Sequence, residues 1–398
     1  MDKKKKYKSS TFDIESSDIL NALKITYNNL KKDKTGTNAQ YIPALKYANS
    51  DIFGITIVTT DGKIYEIGDA ATKIAIESIA KVFTLCLALE EHGKQKVIDK
   101  IGVSQSFLPF NSILASEIMK SYTINPFVNA GAMATASLID GQNKFAIWTK
   151  IYYLMTKFAG RRLEVNDEIY NSELKTNTTN KALAYLLKSH DRFYNDIDTV
   201  LDVYTRQGSV MVSSTELATM GSTLANCGRN PYTAEQVISS ENAAFVLATM
   251  MSDGLYNYSG RWTTSIGIPG KSGVGGGILA IVPGRFAIGV TSPRLDENGN
   301  SYRGVKACEM LSNILNLSLF KPNIICSDTY SNFDRKNLIP NLLKKYGADE
   351  IESEELKRYY DIDKDLVNEK KNKKNISQIP VIKQVITKKK KKKKKKKK

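Results

Sequence analysis

Apolar residues recur at helical spacing near the start of the chain. Ile19, Leu20, Leu23, Tyr27 and Leu30 predict one amphipathic helix before about Thr35. The run from Phe53 to Thr60 is β-branched and apolar, and Asp61-Gly62 separates it from a second run, Lys63 to Gly68. An Asp-Gly pair between two such runs predicts a β-hairpin. From Ser78 to Glu91 the chain is apolar almost all round, the pattern of a central buried helix. Residues from about 105 to 250 read mostly as helices joined by polar loops such as Asn177-Thr178-Thr179-Asn180. Strand character returns at Gly277 to Pro283 and, across a Pro-Gly turn, at Arg285 to Val290. A helix from Val305 to about Leu317 follows. Strands from both ends of the body would pair into one antiparallel sheet flanked by helices, with the long helical excursion as a second lobe, an α/β (α+β) arrangement. A cleft between a sheet lobe and an all-helical lobe is a natural ligand site.

Residues 336 to 360 suggest a further helical hairpin, so 321–369 is expected to be a helical extension. The Lys-rich segment 370–398 is expected to be disordered. That tail changes the meaning of the charge. Of the formal +17, eleven charges come from the consecutive lysines Lys388 to Lys398, which leaves +6 for the rest. Basicity therefore does not predict a specific nucleic-acid partner. No stretch is long and apolar enough to predict a membrane span, and the Lys-rich start lacks the apolar region of a cleaved secretion signal. The four cysteines, Cys86, Cys227, Cys308 and Cys326, show no paired spacing and read as free thiols, so the expected location is the cytoplasm. Only two histidines occur, His92 and His190, each closing a helical run and each expected at the surface. A Ser-His-Asp triad or a multi-histidine metal centre is thereby disfavoured.

A nucleophile that needs no histidine is available in Ser78-Ile79-Ala80-Lys81. Positions three apart share a helix face, so Lys81 can reach back toward the Ser78 hydroxyl. The helix N-terminus favours an alkoxide and an oxyanion, and burial among Val82, Phe83 and Leu85 would lower the amine's pKa enough to make it a base. Alone, this spacing is as readily an N-cap serine beside an ordinary lysine. Lys271-Ser272-Gly273, about 190 residues on and expected beside the returning strands, adds the second element of the serine β-lactamase and penicillin-binding-protein class.

Several stretches together resemble the bacterial and mitochondrial glutaminase family. They are Tyr41-Ile42-Pro43-Ala44-Leu45, Gly68-Asp69-Ala70, Ser78 to Phe83, Asn125-Pro126-Phe127-Val128-Asn129-Ala130-Gly131-Ala132, Thr223 to Gly228, Gly254 to Gly260, and Lys271 to Ile278. They run in the family's order between about residues 40 and 310. The resemblance implies a serine β-lactamase-like fold, with residues 36–320 as the catalytic domain after an N-terminal helical segment, 1–35. It also implies glutamine as substrate, no metal or organic cofactor, and a homodimer or homotetramer.

By position, the resemblance makes Ser78 the nucleophile and Lys81 its base. Backbone N–H groups of Ser78 and Val274 would form the oxyanion hole. Asn129 and Asn180 would hold the amino-acid end of the substrate, and Glu173 would pair with its ammonium. Tyr204 and Tyr256 would line the pocket, one passing a proton to the leaving ammonia, with Tyr41 as a further phenol near the nucleophile. One departure stands beside the nucleophile. Glu77 occupies a position where the family usually carries glutamine, and a carboxylate there could repel the substrate carboxylate or retune Lys81. The same residues leave two other readings open: a β-lactamase or D-Ala-D-Ala peptidase, although no clear Ser-Asp-Asn element is found, and a non-catalytic amino-acid-binding relative.

Overall fold

The computed structural model describes residues 14–106, 109–113 and 123–321, so the expectations for 322–398 lie outside the described residues. In chain order the elements begin with helices α1 (Ser16–Leu30) and α2 (Pro43–Lys46) and strands β1 (Gly54–Thr59), β2 (Ile64–Gly68) and β3 (Ile74–Ala75). A 3₁₀ turn, Glu77–Ile79, leads into α3 (Ala80–Lys100). Then come α4 (Asn129–Leu138), α5 (Lys144–Ala159), β4 (Glu164–Val165), α6 (Asp167–Thr176), α7 (Thr178–Ser189), α8 (Ile197–Gly208), β5 (Val210–Val212), α9 (Ser214–Ala225) and α10 (Ser240–Asp253). A second 3₁₀ turn, Tyr256–Tyr258, precedes α11 (Ser259–Ser265), and β6 (Gly270–Gly273), β7 (Gly277–Val282), β8 (Phe286–Thr291) and α12 (Tyr302–Ile314) follow.

The expected sheet is present and antiparallel, in the order β2-β1-β8-β7-β6. Ile57 of β1 stands opposite Ile288 of β8, so strands from the two ends of the body meet at its centre. The Asp61-Gly62 hairpin joins β1 to β2, with Gly62 at φ +85°. Alternation along β7 divides its side chains between two cores. Ile278 and Ala280 pack with Ile19, Leu23, Val305 and Leu311 of α1 and α12, whereas Leu279 and Ile281 pack with Phe83, Leu217 and Met220 on the opposite face. Both faces are covered, which is why β7 and β8 read as continuous apolar runs. Leu20 does not share the buried face of α1. It is 41% exposed, because its neighbour Ile19 already points inward and one residue is about 100° of helix rotation.

The excursion between the sheet halves differs from an all-helical lobe in two ways. Its short strands β4 and β5 pair with β3 in a second sheet, ordered β3-β5-β4. Helix α9 lies on the main sheet, where a Cβ on Gly221 would come within 2.5 Å of Leu279 and one on Gly289 within 2.1 Å of the Ser214 carbonyl. Strands of two or three residues carry too little periodicity to be read in advance. Ser78 occupies the 3₁₀ turn rather than the first turn of α3. The helical run also continues past Gly93, whose φ of +76° and ψ of 163° put a kink inside it. His92 is accordingly not at the surface. Its side chain is 8% exposed, and Nε2 lies 2.6 Å from the Leu138 carbonyl. His190 is exposed and caps α7. Among the described residues no helix is long and apolar enough to cross a membrane.

The close seat of α9 gives a stability prediction. Gly289→Ala is expected to push α9 off the sheet and lower unfolding free energy by about 1–3 kcal/mol, the range for overpacked cores. Chemical denaturation of both proteins measures it, and an unchanged midpoint would contradict the packing described.

Candidate active site

Two short sequence elements bring a serine and a Gly-rich strand end together. Gly273 and Gly275 cross directly beneath the turn that carries Ser78: a Cβ on Gly273 would stand 2.6 Å from the Ile76 carbonyl, and one on Gly275 only 2.1 Å from that of Ala75. No other residue type allows this approach, and it sets the Val274 backbone beside Ser78 in one pocket. The Asn125-to-Gly131 stretch is shaped in the same way. Asn125 Oδ1 accepts from the N–H groups of Phe127 and Val128 at 3.0 and 3.1 Å, and Gly131 packs so close to the Asn125 carbonyl that a Cβ would stand 1.8 Å from it. That tight turn presents Asn129 at the N-terminus of α4.

Lys81 sits on α3, 3% exposed, among Val82, Phe83 and Leu85. Its Nζ donates to the Phe127 carbonyl at 2.9 Å and to Asn129 Oδ1 at 2.7 Å, and it lies 3.4 Å from the Tyr256 hydroxyl. The rings of Tyr204 and Tyr256 flank it at 5.8 and 5.5 Å. Burial lowers its pKa to about 7, while the charges of Glu173 and Glu77 act in the opposite direction. The amine is therefore close to half neutral at physiological pH. Burial raises the Tyr256 phenol pKa, and a hydrogen bond with Ser78 partly offsets that rise. Tyr256 thus touches both Ser78 and Lys81. Its backbone is held at φ +55°, a left-handed conformation uncommon for a bulky residue.

A pocket of about 100 Å³ is lined by Tyr41, Glu77, Ser78, Lys81, Asn129, Glu173, Asn180, Tyr204 and Val274. These include every residue expected at the site except Tyr256, which lies behind it, 6% exposed. Asn129 Nδ2 donates to Asn180 Oδ1 at 3.0 Å, so the two amides form one wall. Glu173 projects from α6. Burial raises its pKa to about 7 against the influence of Lys81, and its Oε2 is buried without a hydrogen-bond partner. Tyr204 projects from α8, its phenol pushed well up by burial and by Glu173. Tyr41 hangs at the rim with half its surface exposed. Burial of the hydroxyl end, then Glu77 and Glu173, raise its pKa.

Lys271 does not line the pocket. It is fully buried on the edge strand β6, and its Nζ donates to the Tyr256 hydroxyl at 3.0 Å and to the Ser272 carbonyl at 2.8 Å. Burial, then the neighbouring Lys81, push its pKa well below the ordinary lysine range, and its hydrogen bond to Tyr256 ties it to the site. The pocket also includes Phe110, Asn111, Thr176, Asn177, Thr179, Gln207 and Gly208, which sequence patterns do not distinguish from loop and helix residues. Among the described residues, Glu91, His92 and Asp140 come within metal-binding distance of one another. The Glu91 carboxylate already accepts from Lys150, and the His92 ring is engaged with Leu138.

An antiparallel sheet flanked by helices, with a serine and a buried lysine in one pocket and a Lys-Ser-Gly edge strand behind it, defines a protein of the serine β-lactamase-like fold. Comparison with known proteins narrows this class. The glutaminase family model matches residues 36–320. A glutaminase from Colwellia psychrerythraea is 48% identical over 302 residues, covering 76% of this chain and 97% of that protein. Glutaminase 1 from Shigella flexneri is 44% identical, covering 77% and 99%. Among solved structures, the probable glutaminase ybaS superposes with a TM-score of 0.76 at 44% identity, over 78% of this chain and all of the other. A probable glutaminase from Bacillus subtilis complexed with 6-diazo-5-oxo-L-norleucine gives 0.69 at 30% identity, over 78% and 98%. The chain belongs to the glutaminase family.

The burial of Lys81 gives a direct spectroscopic prediction. In protein carrying 13C-labelled lysine, one Cε resonance should titrate near pH 7, far from the bulk near 10.4, and be absent from Lys81→Met. If every lysine titrates near 10.4, the desolvated amine is not there.

Proposed function

We propose that this chain, as an amidohydrolase, cleaves L-glutamine to L-glutamate and ammonia through a covalent glutamyl-Ser78 ester, with Lys81 as general base. The observation that carries the reading is the buried Lys81 amine, its pKa near 7, linked through Tyr256 to Ser78 at the floor of a pocket with one acid and two amides on its walls. Glutamine offers one ammonium, one carboxylate and a short amide. Glu173 takes the ammonium, Asn129 and Asn180 the amino-acid end, and the side-chain amide then reaches Ser78.

In this reading, neutral Lys81 receives the Ser78 proton along the Tyr256 hydroxyl as the alkoxide attacks the amide carbon. Tyr256 is a conduit rather than a base, because its raised pKa keeps the phenol protonated. The tetrahedral oxyanion lies between the N–H groups of Ser78 and Val274, beside the positive end of α3. Lysine then returns the proton through Tyr256 to the departing nitrogen, and ammonia leaves. Water enters, passes a proton to Lys81 by the same route and attacks the ester carbonyl, and the departing Ser78 oxygen takes that proton back through Tyr256. No step calls for a metal or organic cofactor. Tyr204 and Tyr41 shape the walls, and Tyr41 closes the rim. The matches to glutaminases do not favour β-lactamase or peptidase activity. Free thiols at Cys86, Cys227 and Cys308 support a reducing, cytoplasmic setting. A homodimer or homotetramer is the proposed assembly, on family resemblance alone.

Three outcomes test the reading. Ser78→Ala should lower ammonia release from L-glutamine by roughly 10³-fold or more while leaving the fold intact by circular dichroism. Lys81→Arg should do the same, because a guanidinium cannot be deprotonated. The kcat/KM profile should rise with pH through about 7, where Lys81 loses its proton and Glu173 ionises. Retained turnover in the serine variant, or rapid nitrocefin hydrolysis with no ammonia from glutamine, would end it. For the strand crossing, Gly275→Ala should displace Val274 and cost about 10²-fold in kcat with little change in KM, the scale of a 1 Å misplacement.

A further inference from the structure

The acid that precedes the serine is built into the pocket. Glu77 immediately precedes Ser78, is 6% exposed, and adopts φ +49°, a left-handed conformation that turns its side chain into the site. Its Oε1 is buried without a hydrogen-bond partner, as is Glu173 Oε2. The two carboxyl groups bracket one spot: a Cβ on Gly208 would stand 3.5 Å from Glu77 Oε2 and 3.6 Å from Glu173 Oε2. Both acids thus come close to the bare backbone of Gly208, and all three residues line the pocket. The two amines nearby are committed elsewhere. Lys81 donates to Phe127, Asn129 and Tyr256, and Lys271 to Tyr256 and Ser272. The acids share the cavity lining with the linked Asn129 and Asn180 amides. Two acids lining one pocket, each with a buried oxygen that lacks a hydrogen-bond partner, fit a small cation with several N–H donors.

We propose that Glu77 and Glu173 together form a two-acid clasp for the α-ammonium of the substrate, which makes Glu77 a specificity-determining residue of this enzyme. The inference rests on the glutamine reading above and deepens it. With the pocket empty, two buried carboxylates cannot both ionise beside each other. Burial, then Glu173, raise the Glu77 carboxyl well above the usual carboxylate range, with Lys81 opposing, which favours a proton kept on the pair. The other groups facing Glu77 do not remove it: Tyr204 on α8, Tyr41 at the rim and Tyr256 are phenols of raised pKa. An arriving ammonium supplies the missing positive charge, both acids ionise, and a proton leaves to solvent. Ligand binding that releases a proton strengthens as pH rises, by up to about tenfold in Kd per pH unit for one proton. A glutamine at position 77 has no proton to release and offers the ammonium only a neutral acceptor.

The test uses the full chain made inactive by Ser78→Ala, alone and combined with Glu77→Gln or Glu77→Asp. Calorimetric titration with L-glutamine at pH 6 to 8, in two buffers of different protonation enthalpy, reads the protons released. Glutaramate, which lacks the ammonium, measures what that group contributes. The protein with Glu77 should release up to about one more proton per site than the Glu77→Gln protein. Its preference for L-glutamine over glutaramate should be roughly tenfold or more greater, the scale of a charge-assisted hydrogen bond. Glu77→Asp, which keeps the carboxyl, should retain the proton release. Equal release and equal preference with and without the Glu77 carboxyl would overturn the clasp while leaving the glutamine reading standing. A folded Ser78→Ala protein that binds no L-glutamine would overturn that reading and the clasp with it.

Discussion

Holding a lysine amine inside the protein requires acceptors for its N–H groups and a reason for it not to reach water. Here the Phe127 carbonyl and Asn129 Oδ1 accept from Lys81, two tyrosine rings flank it, and the core around Phe83 closes one side. The partners come from three parts of the chain: the start of α4 with the turn before it, helix α8 and the 3₁₀ turn at Tyr256. The sheet, the excursion and α3 must therefore all be in place before the amine is desolvated. That dependence explains the local strain. Glu77 and Tyr256, on opposite approaches to the amine, both adopt positive φ, at a cost on the order of 1–3 kcal/mol each that the surrounding packing must offset.

The electrostatics of the pocket follow from the same burial. Two lysines and two glutamates lie near one another, yet their hydrogen bonds do not pair them as simple ion pairs. Desolvation brings the Lys81 pKa to about 7, and desolvation, then Lys81, push that of Lys271 well below the ordinary lysine range. Glu173 sits near its titration point and Glu77 above the usual carboxylate range. A site poised this way takes up or loses protons readily as a zwitterionic ligand enters. A pocket of four firmly paired charges would not. Tyr256, bonded to Lys271 and close to Lys81, connects these groups to the serine.

Close backbone approach is the second structural device. Gly273 and Gly275 pass beneath Ala75 and Ile76, Gly131 beneath Asn125, and Gly289 against α9. At the first three positions the absent side chain sets the distance between a pocket residue and its neighbour. The Gly-rich run after Lys271 is thus a spacing element for Val274, and the Asn-Pro-Phe-Val-Asn-Ala-Gly run is one for Asn129.

Much was legible in the chain because it rests on local rules. Helical spacing marked α1, β-branched runs about Asp61-Gly62 marked the first hairpin, and the apolar runs at β7 and β8 marked the returning strands. The scarcity of histidine and the Ser78–Lys81 spacing pointed to lysine-assisted serine chemistry. The order of short motifs brought Tyr41, Asn129, Glu173, Asn180, Tyr204, Tyr256 and Val274 into one candidate site. Other features needed the tertiary structure, because they depend on residues far apart in sequence. Pattern could not place Lys271 behind Tyr256, bury His92 against Leu138, pair β4 and β5 with β3, or seat α9 on the sheet. Nor could it set the Glu77 carboxyl over Gly208 facing Glu173. A side chain's type and spacing are local properties, whereas its dielectric surroundings and partners are set only when distant segments pack around it.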